Sequence, residues 1–197
     1  QESRGLGDVY KRQVYNCSGS DVWDGNVNVY TSDWKIPEEA EQWLKAECRC
    51  SEFPLRTGLH IEKRPGMINF SVVGRNATMG ERKLYVEYDN KTKERIKIAK
   101  EFQKFFPAIQ AVVGGETGID IFPYGKDKAQ IINDFNELED TLHFFGDRMD
   151  PAGNDYPLKK VILDNNLGRC YSVDDWKHTW KLLKNISTKS GQKKKQY

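Results

Sequence analysis

The chain of 197 residues has no long apolar run. Nothing in it approaches the roughly 18 consecutive apolar residues that mark a membrane span. The first residues lack the apolar segment of a secretory leader, so the expected setting is the cytoplasm. Charge imbalance is also scarce, with 31 basic against 29 acidic residues and a net charge of +2. Such a balance makes no electrostatic case for nucleic acid, which requires a clustered basic face. The run Lys193–Lys195 is short and has no aromatic-rich basic surface beside it. Neither a nucleic-acid nor a membrane partner is therefore expected. Cysteines are few: Cys17, Cys48, Cys50 and Cys170. Cys48-Arg49-Cys50 is too tight for a zinc knuckle and no second pair follows, so free thiols in a reducing compartment are expected. Triplets such as Asn76-Ala77-Thr78 carry no meaning without a secretory route.

What is present suffices for one domain or two small lobes. Hydrophobic residues make up 38% and aromatics 12%, enough to fill a core. Residues 14–31 read as extended, with Asp24-Gly25 as a turn. SDWKIPEEAEQWLKAEC reads as a helix, with Pro37 in its first turn and Glu38 and Glu39 at the positive end of its dipole. TGLHIEK and GMINFSVVG form a strand pair through Arg64-Pro65-Gly66. KTKERIKIAKEFQKFF is an amphipathic helix, and AIQAVVGG and GIDIFPYG are strands. Beyond Gly125 the pattern alternates: KDKAQIINDF as a helix, TLHFFGD and RCYSV as strands, and DDWKHTWKLLKN as a closing helix capped by Asp174 or Asp175. The expected organisation is an antiparallel α+β lobe over 31–123, followed over 124–186 by part of an α/β domain with a mainly parallel sheet. Residues 187–197 are expected to be a disordered basic tail.

Three stretches carry candidate chemistry. In HFFGDRMDPAGND, Asp147 sits where a buried strand leaves its sheet, a place where α/β folds bind ligands. Asp150, Asn154 and Asp155 follow on a loop whose hard oxygen atoms suit Mg²⁺, although the same residues also suit an ordinary turn. In FPYGKDKAQ, Lys128 is the better placed of two lysines to meet a phosphate or carboxylate as a point charge. In RPGMINFSVVGRNATMGER, Arg64, Arg75 and Arg82 lie near glycine-rich turns and can converge on one dianion through their planar forks. For any single arginine, pairing with a nearby glutamate is the simpler expectation.

RPGMIN, GR with ER seven residues on, GGETGIDIFPYGKDK and FFGDRMDPAGND occur in this order. Together they resemble the eukaryotic-type phosphomannomutases of the haloacid dehalogenase superfamily, over about residues 14–185. The resemblance implies an α/β fold, a partial haloacid dehalogenase-like Rossmann core with an inserted α+β cap. It implies interconversion of mannose 6-phosphate and mannose 1-phosphate through an aspartyl-phosphate, with Mg²⁺ as cofactor and a hexose bisphosphate as activator. By motif position, Arg64, Arg75 and Arg82 would hold the distal phosphate and Asp120 the sugar hydroxyls. Lys128 would neutralise the aspartyl phosphate, Asp147 would bind Mg²⁺, and Asn154 and Asp155 would belong to the metal loop. A homodimer through the cap is also implied. The family usually has Ser where this chain has Gly118, which removes one hydroxyl donor from the sugar site.

The family's DxDGT-like nucleophile motif, whose first Asp attacks phosphorus and whose second is the acid and base, has no match. Asp21-Val22-Trp23-Asp24-Gly25 has the wrong spacing, and the superfamily's second motif is missing too. The chain as given is therefore expected to be inactive, and an intact frame to continue upstream, leaving 14–30 as a remnant of the N-terminal core. Residues 8–13, DVYKRQ, reverse-translate to GAT-GTG-TAT-AAG-AGA-CAG, which resembles the end of a transposase sequencing adapter. Residues 1–13 are accordingly expected to be a read-through scar. The alternatives to a mutase are a sugar-phosphate phosphatase of the same superfamily and a non-catalytic sugar-phosphate binder.

Overall fold

The computed structural model describes residues 13–135, 141–151 and 153–193, with side chains to Ile186. The expected scar lies outside the described residues except for Gln13, which opens the first strand. The chain divides into two compact units at Ile131/Ile132.

The first unit begins with an antiparallel meander of β1 (Gln13–Asn16), β2 (Asp21–Asp24) and β3 (Val27–Thr31). Asp21 ties it together. Its carboxylate accepts hydrogen bonds from Asn16 Nδ2 at 3.0 Å, Trp23 Nε1 at 3.0 Å, Asn28 Nδ2 at 2.9 Å and Thr31 Oγ1 at 2.9 Å. Burial pushes this carboxyl upward, but the four donors outweigh it and hold it below the usual range. In this structure Asp21 is a cross-strand clamp.

Helix α1 (Glu38–Cys50) starts after Pro37 with three acids in its first turn, where the unpaired amides favour negative charge. Ala40, Leu44 and Cys48, four apart, are its buried stripe. Next come β4 (Ile61–Arg64) and β5 (Met67–Phe70), joined at Gly66, whose φ of 65° suits glycine. Helix α2 (Met79–Thr92) was not expected, because its apolar stripe is thin: only Tyr85 and Asp89 are buried. Its start is specified by a capping box, in which Thr78 and Glu81 satisfy each other's backbone amides. Thr78→Ala is expected to cost about 1 kcal/mol, read as a lowered midpoint in urea.

Lys93, in the left-handed region at φ 57°, separates α2 from α3 (Glu94–Phe105). Arg95 turns back to Asp89 at 2.9 Å, both largely buried, and donates to the carbonyls of Gly115 at 3.2 Å and Gly118 at 3.3 Å. Strands β6 (Ile109–Gly114) and β7 (Gly118–Pro123) complete an antiparallel sheet ordered β4-β5-β7-β6.

Pairing assigns the two faces of this sheet. Glu62 opposes Asn69, Asn69 opposes Asp120, and Asp120 opposes Val112. Residues opposed in this way share a face. Ile61, Ile68, Phe70, Ile119, Ile121, Ile109 and Ala111 alternate with them on the other face. There they join Leu44, Tyr85, Ile98 and Phe102 in one buried core. The helices therefore cover the apolar face, and Glu62, Asn69 and Asp120 stand on the opposite one.

A 3₁₀ helix at Lys128–Asp134, shorter than the α-helix expected from KDKAQIINDF, runs across the division between the units. The Asp127 side chain takes the amide of Ala129 at 2.8 Å, a local bond that competes with α-helical pairing.

The second unit holds β8 (Leu142–Gly146), α4 (Tyr156–Asp164), β9 (Gly168–Ser172) and α5 (Trp176–Lys193). Strands β8 and β9 pair in parallel, and α4 is the crossover such a pair requires. The capping acid of α5 is Asp175, whose Oδ1 accepts the His178 amide at 2.8 Å. Trp176, Trp180 and Leu183 form a stripe on α5 that is exposed. The segment expected as a disordered tail begins inside α5, which continues to Lys193; residues 194–197 lie outside the described residues.

Candidate functional site

The first unit holds four of the sequence-predicted residues and brings two of them, Arg64 and Arg75, onto one carboxylate, while the Arg82 guanidinium turns to backbone carbonyls instead. Arg64 ends β4, with its Nη2 2.9 Å from Glu62 Oε2. Arg75, on the loop after β5, places its Nε 2.6 Å from the same oxygen. Two guanidinium groups therefore meet at one carboxylate oxygen. Arg82, in the first turns of α2, donates to the carbonyls of Arg75 at 2.7 Å and Ala77 at 3.0 Å, fixing the loop that carries Arg75.

The electrostatics are mutual. The hydrogen bond from Arg64, with the charges of both arginines, holds the Glu62 carboxyl below the usual glutamate range. The bond to Glu62 likewise raises Arg64, helped by the charge of Asp120. The pairing of arginines with a neighbouring glutamate, the simpler expectation for each alone, thus occurs for two at once on a single partner. Sequence reasoning did not single out Glu62. Its signal was the alternation of Glu62 and Arg64 along β4, which puts both on one face.

Asp120 stands at mid-strand in β7 and accepts from Asn69 Nδ2 at 2.7 Å. Cys17, in the turn after β1, lies close enough to feel Arg64. Burial pushes its thiol up, and the Arg64 charge pulls the other way. Lys128 is half-buried at the start of the 3₁₀ helix.

The three metal candidates belong to the second unit. Asp147 follows β8 and is exposed, as is Asn154. Asp155 is 3% exposed, and its Oδ2 accepts the Arg148 amide at 3.1 Å, closing the 148–155 loop on itself. That oxygen packs over Gly146, where an added Cβ would come within 2.5 Å. Asp155 therefore shapes the loop, while Asp147 and Asn154 present hard oxygen atoms outward. Among the described residues no group of three or more His, Cys, Asp or Glu is arranged to hold a metal ion. A donor set of one carboxylate and one amide oxygen is still compatible with Mg²⁺, which keeps several waters and shares substrate phosphate.

Comparison with known proteins adds to this geometry. The family model described as eukaryotic phosphomannomutase matches residues 35–189. A probable phosphomannomutase of Caenorhabditis elegans is 37% identical over 109 residues, 54% of this chain and 43% of that protein. The phosphomannomutase of Saccharomyces cerevisiae is 37% identical over 139 residues, 67% of this chain and 52% of that protein. The chain spans about half the length of the curated relatives it matches. Among solved structures, an N-terminally truncated IMP-nucleotidase of Plasmodium falciparum aligns with a TM-score of 0.50 at 16% identity, covering 86% of this chain and 48% of that one. At that identity the likeness concerns the fold alone, a mixed α/β architecture. No helix among the described residues is long and apolar enough to cross a membrane.

Proposed function

Because this chain belongs to the eukaryotic phosphomannomutase family, we propose that it is part of an enzyme interconverting mannose 6-phosphate and mannose 1-phosphate, and that it supplies the hexose-phosphate-binding half. The observation that carries this reading is the convergence of Arg64 and Arg75 on one oxygen of Glu62. Two planar forks aimed at one anionic point form a phosphate receptor. Arg82 fixes the loop bearing Arg75, and Asp120, on the same sheet face as Glu62, accepts hydrogen bonds from sugar hydroxyls.

The remaining roles follow the same reading. Residues 31–123 act as the cap and 124–186 as part of the core. Lys128 offsets negative charge at the reacting phosphoryl group. Asp147 holds Mg²⁺, with Asn154 beside it and Asp155 keeping the loop in shape; the ion, when bound, neutralises phosphate charge. A hexose bisphosphate serves as activator, the compartment is the cytoplasm, and two copies associate through the cap. Exposed Leu59 and β4, an edge of the sheet, support that last point.

The 197 residues contain no DxDGT-like motif, so binding and turnover separate in this chain. Titration calorimetry with mannose 1-phosphate is expected to give saturable binding. A coupled mutase assay with Mg²⁺ and a hexose bisphosphate is expected to give no turnover above background. Absence of binding would refute the receptor, and turnover at ordinary enzyme rates would refute the division of labour.

A further inference from the structure

Asn69 is the polar residue of β5, a strand otherwise made of Met67, Ile68 and Phe70. It is 6% exposed, and its Oδ1 is buried without a hydrogen-bond partner. A buried carbonyl oxygen left unpaired lowers stability, so packing alone gives no reason for a carboxamide here. The other end of the group is engaged: Nδ2 donates to Asp120 Oδ1 at 2.7 Å, across directly opposed positions of β5 and β7.

The surroundings are built to admit this pair. A Cβ at Gly118 would lie 2.6 Å from Asn69 Nδ2 and 3.0 Å from Oδ1. A Cβ at Gly114 would lie 2.3 Å from Asp120 Oδ2. Gly114 and Gly118, opposed to each other at the turn end of the β6–β7 hairpin, thus lack the atom that would displace either partner. With Oδ1 held by Asn69, Oδ2 is the oxygen Asp120 has to offer, over the bare backbone of Gly114.

We propose that Asn69 is a positioning residue of the sugar site: it fixes the Asp120 carboxylate so that Oδ2 accepts a hexose hydroxyl, and it thereby sets how much the sugar, as distinct from the phosphate, adds to affinity. This rests on the hexose-phosphate reading of the same face and extends it to a residue that need not touch the ligand.

The test uses the whole chain, titrated by calorimetry with mannose 6-phosphate and, separately, with inorganic phosphate. Asn69→Leu, close in shape, removes both the bond to Asp120 and the unpaired oxygen. It is expected to keep or raise the thermal midpoint, to leave phosphate affinity unchanged, and to lower mannose 6-phosphate affinity about tenfold, the scale of one hydrogen bond to a charged group. Gly118→Ala keeps Asn69 and Asp120 but drives the carboxamide off its bond. It is expected to give the same selective loss, and in combination with Asn69→Leu to add little further. A purely structural role would move the midpoint and leave the ratio of the two affinities intact, and that outcome overturns the proposal; if Asn69→Leu fails to fold, Gly118→Ala decides alone. If the unaltered chain binds mannose 6-phosphate no better than inorganic phosphate, the hexose reading itself falls, and this inference falls with it.

Discussion

Arg75→Ala is expected to weaken mannose 1-phosphate binding by about 10- to 100-fold, the range for losing a charge-assisted contact. The local charge balance explains the size. At their shared oxygen, Arg64 and Arg75 together outweigh the single charge of Glu62. Without Arg75, the charges of Arg64 and Glu62 cancel, and an arriving phosphate has to compete with Glu62 for Arg64 alone. The loss extends to inorganic phosphate, which distinguishes it from the selective loss expected at Asn69. Arg49→Ala, on the exposed end of α1, serves as the control for nonspecific charge and leaves both affinities unchanged. Calorimetric titration of the three chains reads the result. A change below twofold for Arg75→Ala would remove it from the receptor.

Phe102→Ala carries the largest expected effect on stability. Phe102 is 0% exposed. Its ring meets Trp43 edge-on at 5.6 Å between centroids and Phe106 at 4.8 Å, so it joins α3 to α1 above the sheet. Truncating a buried Phe costs about 3–5 kcal/mol, the lost transfer term plus a cavity. That is a large share of the roughly 5–15 kcal/mol that holds a domain folded. The thermal midpoint of the first unit is expected to fall by roughly 10–20 °C, followed by circular dichroism. A fall of only a few degrees would mean that the α1–α3 interface collapses around the gap or is not the core.

Much of the first unit was legible because its patterns are local. Pro37 with the acids after it marked α1, the amphipathic run marked α3, and Arg64-Pro65-Gly66 marked the β4–β5 turn. Helix α2 was missed because it buries little apolar surface. Asp89 is held through Arg95, and a partner six residues along the chain leaves no hydrophobic period. Its readable sign was Thr78-x-x-Glu81. Helix α4 was missed between a loop and a strand, although Leu158 and Ile162, four apart, are its buried pair. The strand read as GMINFSVVG leaves its ladder after Phe70, yet Ser71, Val72 and Val73 stay buried. Composition signals burial there and does not distinguish ladder from loop.

The site was partly legible for a related reason. Arginines beside glycines invite attention, and Arg64, Arg75 and Arg82 were named from sequence. Glu62 and Asn69 were not, since a glutamate beside an arginine and an asparagine within MINF carry no distinctive spacing. Only strand register puts them in line with Asp120.

Glu62 has a last consequence, for selectivity by valence. With its carboxylate already seated between two guanidinium groups, capture of a ligand is an exchange of one anion for another. The newcomer gains only by the charge and acceptor oxygens it brings beyond those of a carboxylate. A phosphate dianion, with three terminal oxygens, has that surplus; chloride and simple carboxylic acids do not. On the proposed reading, the receptor would turn away the abundant monovalent anions around it by means of a side chain of its own.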